Sequence, residues 1–336
     1  GYVRSLLTGD AMSALEKVNS VSGDLTKHFG RYQGLLNFDS SKWDGNKGYL
    51  SERRLQRKAW IFSGLITEDF TVGFAIVDAG LIATAFAYIY QRKTGLFLEE
   101  KMDKILGFSD EFQPSLQDAW KLEKGNQVWE FMPVKGGYSI LYSGDKISLK
   151  YVLQENENGM STIAPAKDRP FHTTYKNMNL PAEVRIKIGK EEHSWTADCG
   201  TVDFSKGYPG RETFWNWASF SGKAETGESF ALNLVAGFNE GLENNAWING
   251  EILPLGIAKF SYKKPISQNE CEIITMDGLS EFRFIPEGKR SEDINLVLFQ
   301  SRFVQAYGRF EGNILYNGKT LKIKGFGLVE EHYAVW

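Results

Sequence analysis

Residues 312–336 read GNILYNGKTLKIKGFGLVEEHYAVW, two apolar runs joined by Asn317-Gly318. Asn-Gly accepts the positive φ angles of a tight antiparallel turn, so this stretch is a β-hairpin. The same punctuation recurs at Gly136-Gly137, Asn249-Gly250 and Asp277-Gly278. Between such turns lie runs that alternate, as in Glu183-Val184-Arg185-Ile186-Lys187-Ile188, with apolar side chains on one face and charges on the other. The chain is therefore expected to be all-β, a meander of about nine candidate strands in each half. About eight strands suffice to close a barrel around one small ligand, and closure removes the sheet edges that invite aggregation. Two consecutive antiparallel β-barrels are expected, at 50–199 and 200–336.

The first 49 residues differ. Met12, Leu15, Val18 and Leu25 fall at helical spacing, so 1–49 is expected to be an N-terminal arm carrying a short helix. A second short helix is expected over Ser115–Leu122, capped by Ser115 after Pro114. Residues 154–181, polar and holding Pro165, Pro170 and Pro181, read as a long loop. The apolar run Phe74–Tyr90 approaches the length of a membrane span. Asp78-Ala79-Gly80 interrupts it as a turn would, which makes it two buried strands. No membrane span is expected, although peripheral membrane contact stays open.

Composition excludes several functions. Net charge is −3 and basic residues are scattered, so no nucleic-acid partner is expected. The basic cluster Arg53, Arg54, Arg57 and Lys58 reads as a solvated strand start. Two cysteines, Cys199 and Cys271, are too few for a disulfide framework, and they favour a reducing, cytoplasmic setting. The chain opens on Gly1, which reads as a processed or trimmed start. The histidines, His28, His172, His193 and His332, show neither HExxH nor HxH spacing, so no metal is expected. No Gly-x-Gly-x-x-Gly follows a strand, so no nucleotide cofactor is expected either.

Four stretches carry a family resemblance: RLQRKAWIFSGLITEDFTVGFAIVDAG (residues 54–80, with Arg53 before it), DFSKGYPGRETFWNWASFSG (203–222), NLVAGFNEGLENNAWINGEILPL (233–255) and QAYGRFEGNILYNGKTLKIKGFGLVEEHYAVW (305–336). Together they resemble the DUF2804 family. That resemblance implies tandem lipocalin-like (calycin-type) barrels, similar to those of carotenoid hydratases, tocopherol cyclases and fungal lipocalin-like cyclases. It brings no catalytic residues with it.

Candidate site residues come from the strands themselves. Period two puts Phe326, Leu328, Glu330, His332, Ala334 and Trp336 on one face of the last strand, and Glu331 on the other. Either way a carboxylate sits among apolar neighbours, and burial raises its pKa. Glu330 with His332 is the preferred catalytic pair, an acid able to protonate a carbon–carbon double bond. The alternative is a glutamate paired with Arg or Lys of a neighbouring strand. Arg211, Trp215 and Trp217 share a face, so two indoles and a guanidinium are candidates for ligand contact. Core packing is the competing explanation of that Trp-x-Trp. Glu243, Asn244 and Trp247, beside the Asn249-Gly250 turn, are candidate rim contacts, or else hold backbone groups. Asp78 reads as a turn residue, and Glu130 as a second carboxylate facing a core.

With aromatic residues at 14% of the chain, three functions fit. One is binding of a hydrophobic small molecule (a lipid, isoprenoid or polyene) in a barrel cavity. A second is acid-catalysed hydration or cyclisation of such a molecule without a redox cofactor. The third is a structural or interaction module with filled barrels.

Overall fold

The computed structural model describes residues 15–40, 43, 48 and 50–336. About two thirds of the residues are strand, 66%, nearly all of it in two antiparallel sheets, the first curled into a nearly closed barrel and the second into a half-barrel. Ten strands position the site. In the first sheet they are β1 (Lys58–Ile66), β2 (Phe70–Asp78), β3 (Ile82–Gln91), β4 (Arg169–Ile188) and β5 (Glu191–Gly207). In the second they are β6 (Glu212–Ala224), β7 (Ser229–Ala236), β8 (Ser280–Asn295), β9 (Gln300–Tyr316) and β10 (Lys319–Val335). The first sheet runs Leu96–Ile105, β3, β2, β1, β5, β4, then Ile147–Gln154, Gly137–Ser143, Gln127–Val134 and Trp120–Lys124. The second runs Glu251–Pro254, Asn245–Ile248, β7, β6, β10, β9, β8, Cys271–Thr275 and Ala258–Tyr262.

Both interiors are filled. Ile61, Phe74, Trp120, Trp129, Phe131 and Tyr151 pack inside the first barrel. Phe220, Phe282 and Phe310 pack in the concavity of the second, with Phe220 and Phe310 stacked at 4.3 Å between centroids. A third cluster lies between the sheets, built on Phe62, Tyr90, Trp215, Trp217, Tyr307 and Trp336. Strands β1 and β2 are therefore covered on both faces, one by their own barrel and one by the other sheet. This is why Phe74–Tyr90 is so uniformly apolar. It is two strands, β2 and β3, as expected. No helix among the described residues is long and apolar enough to cross a membrane.

The hairpins at Asn249-Gly250 and Asn317-Gly318 form with φ of 50° and 80°, and of 50° and 74°. Several local expectations are corrected. Residues 154–181 are not a loop but hold strand Met160–Ala166 and the first part of β4. That part is polar yet buried on both faces, so no period-two signal survives in the sequence. Ser115–Leu122 is not helical. Ser115 instead takes the Gln117 amide on its hydroxyl and the Trp120 indole on its carbonyl, ahead of a strand beginning at Trp120. The turn near 136 is Lys135-Gly136, with Gly137 already in a strand. The first sheet continues to Gly207, so the change of sheet falls between Gly207 and Glu212 and not at 199/200. In the arm, residues 15–38 make short strands and a 3₁₀ turn at Leu25–Lys27. The rest of the expected helix lies outside the described residues. Cys199 and Cys271 are both unpaired. Glu130 sits between Trp129 and Phe131, and it is those two that face the core.

The basic cluster is not solvated. Helix Glu52–Gln56 lays it against the end of β2, where Arg54, Arg57 and Lys58 are buried. Asp78 receives Arg54 Nη1 at 3.2 Å, Arg57 Nη2 at 3.4 Å and the Gly80 amide at 3.1 Å. Lys58 Nζ donates to the Leu55 and Ala79 carbonyls. Removing one partner of a buried ion pair leaves charge uncompensated, at about 3–5 kcal/mol. Asp78→Ala is expected to lose stability on that scale in urea denaturation, whereas Glu281→Ala, on an exposed position, stays within about 0.5 kcal/mol of the parent.

Candidate functional site

Cross-strand register assembles the site. In the second sheet, Val235, Trp217, Glu330, Gln305 and Arg290 are consecutive partners across β7, β6, β10, β9 and β8. The next row holds Trp215, His332, Phe303 and Glu292. In the first sheet, Lys176, Asp203, Phe62, Ala75 and Phe86 form a row across β4, β5, β1, β2 and β3. Ser205, Trp60, Val77 and Thr84 form the row beside it. These rows face each other and line a partly open cavity of about 140 Å³. It lies between the sheets, outside either barrel's own packed core.

Glu330 is buried at the cavity wall. Trp215 Nε1 donates to its Oε1 at 3.0 Å and Gln305 Nε2 to its Oε2 at 3.2 Å. Gln305 is held in turn by Tyr88, whose hydroxyl donates to the amide oxygen at 2.7 Å. The Tyr88 ring crosses its neighbour strand where Gly73 leaves room; a Cβ there would stand 2.3 Å from the ring. Burial pushes the Glu330 carboxyl up to about 7, against the two donated hydrogen bonds that favour its ionised form. His332 is pushed down to about 3 by burial, with the Arg290 charge adding to it. Its imidazole is thus neutral, 3.8 Å from Glu330 Oε1 through Nδ1, and it shares a 2.8 Å hydrogen bond with Ser301 through Nε2.

A charged cluster stands on another part of the wall. Lys176 Nζ meets Asp203 Oδ2 at 2.7 Å and Glu243 Oε1 at 3.1 Å. Burial alone would lower the Lys176 pKa, but the two carboxylates raise it to about 12. Glu243 also accepts from Asn239 Nδ2 at 2.6 Å, within a turn where Asn239 and Glu240 take positive φ. Asp203 Oδ1 is buried without a hydrogen-bond partner, and burial raises the Asp203 pKa, Glu243 adding and Lys176 opposing. Arg290 closes one end, its guanidinium 3.6 Å from the Phe86 ring centroid and paired with Glu292 at 2.7 Å. Among the described residues no group of His, Cys, Asp and Glu is arranged to hold a metal ion.

A family model for "Domain of unknown function (DUF2804)" matches residues 17–336. The chain belongs to the DUF2804 family. No curated protein matches it. Among solved structures it is similar to an AttH-type protein of Nitrosomonas europaea, at 13% identity and TM-score 0.54, over 84% of this chain and 93% of that one. It is also similar to kievitone hydratase of Nectria haematococca, at 12% identity and TM-score 0.50, over 96% and 98%. At such identities the likeness is one of fold, the lipocalin-like tandem type that the sequence resemblance implied.

Within this DUF2804 chain, Glu330, His332, Trp215, Trp217 and Glu243 all line the cavity. Three other expected contacts do not. Arg211 is exposed and donates to the Leu298 carbonyl at 3.1 Å. Asn244 is buried, but its side chain holds the Val235 amide and the Gly256 carbonyl. Trp247 packs with Met160, Met178 and Ala231, and its indole donates to the Asn158 carbonyl. Lys176, Asp203, Gln305 and Arg290 also line the cavity, and no sequence signal singles them out. Lys176 lies in a polar stretch that reads as a loop, and Asp203 falls beyond the expected start of the second barrel. Only register shows that Gln305 and Arg290 adjoin Glu330.

A folded-state pKa near 7 means that folded Glu330 keeps its proton while the unfolded chain loses it above pH ~4.5. The stabilisation is full below that pH and is lost as pH rises through about 7. Relative to Glu330→Gln, the wild type is expected to lose about 3 kcal/mol of unfolding free energy between pH 4.5 and 8. Comparing the two proteins cancels the opposing, acid-side effect of His172 and His332, both of which burial pushes down to about 3. A flat difference across that range, measured by urea denaturation, would contradict the raised carboxyl.

Proposed function

We propose that this protein is an acid–base enzyme of the hydratase or cyclase type. It binds a compact apolar molecule between its two sheets and moves a proton on it through Glu330. The observation that carries this reading is a buried carboxyl, poised near neutral pH, on the wall of an aromatic cavity. A general acid works best when its pKa lies near the working pH.

The volume limits the ligand. A void of about 150 Å³ holds a benzene ring, so about 140 Å³ takes one ring or a short isoprenoid end and not a whole polyene. The orphaned Asp203 Oδ1 favours a ligand with a hydroxyl that can donate to it. In a hydration, the Glu330 acid gives its proton to one alkene carbon, the π pair forming the C–H bond. The neighbouring carbon becomes electron-poor beside the Trp215 and Trp217 faces. Water adds its oxygen there, and the surplus proton returns to the Glu330 carboxylate. Cyclisation replaces water by a hydroxyl of the same molecule. No electron acceptor is needed in either case. Binding without turnover is the simpler reading and uses the same cavity. A purely structural module fits the packed barrel interiors but leaves a titrating carboxyl in a void unexplained.

Incubation with ring-bearing and isoprenoid alkenes in heavy water is expected to give carbon-bound deuterium in the product, with the rate falling as pH rises above about 7. Glu330→Gln should slow this by about 10²–10⁴ while binding of an apolar fluorophore changes less than about threefold. Binding without turnover across a broad panel would leave a carrier; neither binding nor turnover would remove the reading altogether.

A further inference from the structure

The β8–β9 hairpin ends in Leu296-Val297-Leu298-Phe299, where Leu296 N donates to the Phe299 carbonyl at 2.8 Å. Turns of this kind select Gly, Asn, Asp or Pro, and elsewhere this chain uses them. Here three apolar side chains point into solvent, with Leu296, Val297 and Leu298 at 46%, 98% and 60% exposure. Residues 294–301, INLVLFQS, carry no charge. The feet of the tip, Ile294 and Phe299, line the cavity together with Trp336. Arg211, bonded to the Leu298 carbonyl, braces it from the side.

We infer that this tip inserts into a lipid surface and sets the Ile294–Phe299 end of the cavity against it, so that apolar ligand passes between membrane and protein without crossing water. A second copy of the chain is the competing occupant. Three side chains on one turn fall well short of the roughly 800 Å² per partner that a stable protein interface buries. A bilayer asks for no matching shape and receives apolar side chains to ~5–10 Å depth. The nearest charges are mixed, Arg211 and Arg302 against Glu212 and Asp293, so attachment is apolar in character and not electrostatic. Docking of the tip on lipid does not depend on the chemistry at Glu330.

Flotation with phosphatidylcholine vesicles, with and without added phosphatidylglycerol, tests it. The full chain is expected to float with both, and raising the salt should change the bound fraction less than about twofold. The triple variant Leu296→Ser, Val297→Ser, Leu298→Ser should bind at least about tenfold less, with an unchanged melting temperature because these three side chains stand in solvent. Val297→Trp should show a blue-shifted emission on vesicles. A wild type that stays with the aqueous phase, a triple variant that floats equally well, or tip-dependent self-association in lipid-free sedimentation would each overturn the assignment.

Discussion

The contact on which this structure depends is between the outer faces of two sheets. A barrel normally turns its outer face to water and marks it with polar residues. Here Trp60 of β1 lies nearly parallel to Trp215 of β6 at 6.4 Å, and Phe62 meets Trp217 edge-on at 5.3 Å. Rings of this size dominate the energetics of any interface they enter. They hold the half-barrel against the barrel, yet indoles and phenyls on two twisted surfaces do not fill all the space between them. The cavity is the remainder of that packing. Most of its lining residues sit on strands of the two sheets, with Phe238, Glu243, Phe299 and Trp336 supplied by turns and strand ends.

Once an apolar space forms, every charge in it must be answered. Lys176 is answered by two carboxylates, which keep it ionised against burial. Arg290 is answered by Glu292, with the Phe86 ring against its guanidinium. Glu330 receives only neutral donors, an indole and an amide. Two neutral hydrogen bonds do not offset the loss of water around a carboxylate, so the proton stays on to a higher pH. His332 does not tune this acid by charge, because its own burial keeps it neutral. Burial acts on the two groups in opposite directions and favours the uncharged form of both.

The sequence displayed the elements whose two faces differ. Strand β10 alternates, so Glu330 was separable from Glu331 by parity alone, and the Asn-Gly hairpins were legible from their turn chemistry. Strands covered on both faces were harder. In β2 and β3 this produced an apolar run resembling a span, and in β4 a polar run resembling a loop, because His172, Thr174 and Lys176 are buried on one side and Phe171, Thr173 and Tyr175 on the other. A polar side chain buried by a partner sheet carries no mark of its burial in the local sequence. The Arg54–Asp78 pairing was hidden for the same reason, since its members are 24 residues apart.

Parity also explains why the site depends so sharply on register. Glu331 lies on the opposite face of β10, half-buried, bonded to the Tyr262 hydroxyl and near Lys264. A one-residue slip of β10 against β6 and β9 turns every side chain to the other face. Slipped one way, Glu331 would stand where Glu330 does, and Glu330 would take the place of Val329 in the second core. Slipped the other way, Val329 would enter the cavity and leave no carboxyl beside Trp215 and Gln305. Both slips are opposed along the whole strand. Thirteen partners join β10 to β6, from Glu212↔Val335 to Ala224↔Ile323, and the Asn317-Gly318 turn locks β10 to β9. Gly327 and Gly325 stand where a Cβ would meet the backbone or ring of Ser219, Phe220 and Ser221 at under 3 Å, so side-chain-bearing residues cannot occupy those points. The length of the pairing and its glycines thus select which of two adjacent, chemically identical residues becomes the buried acid.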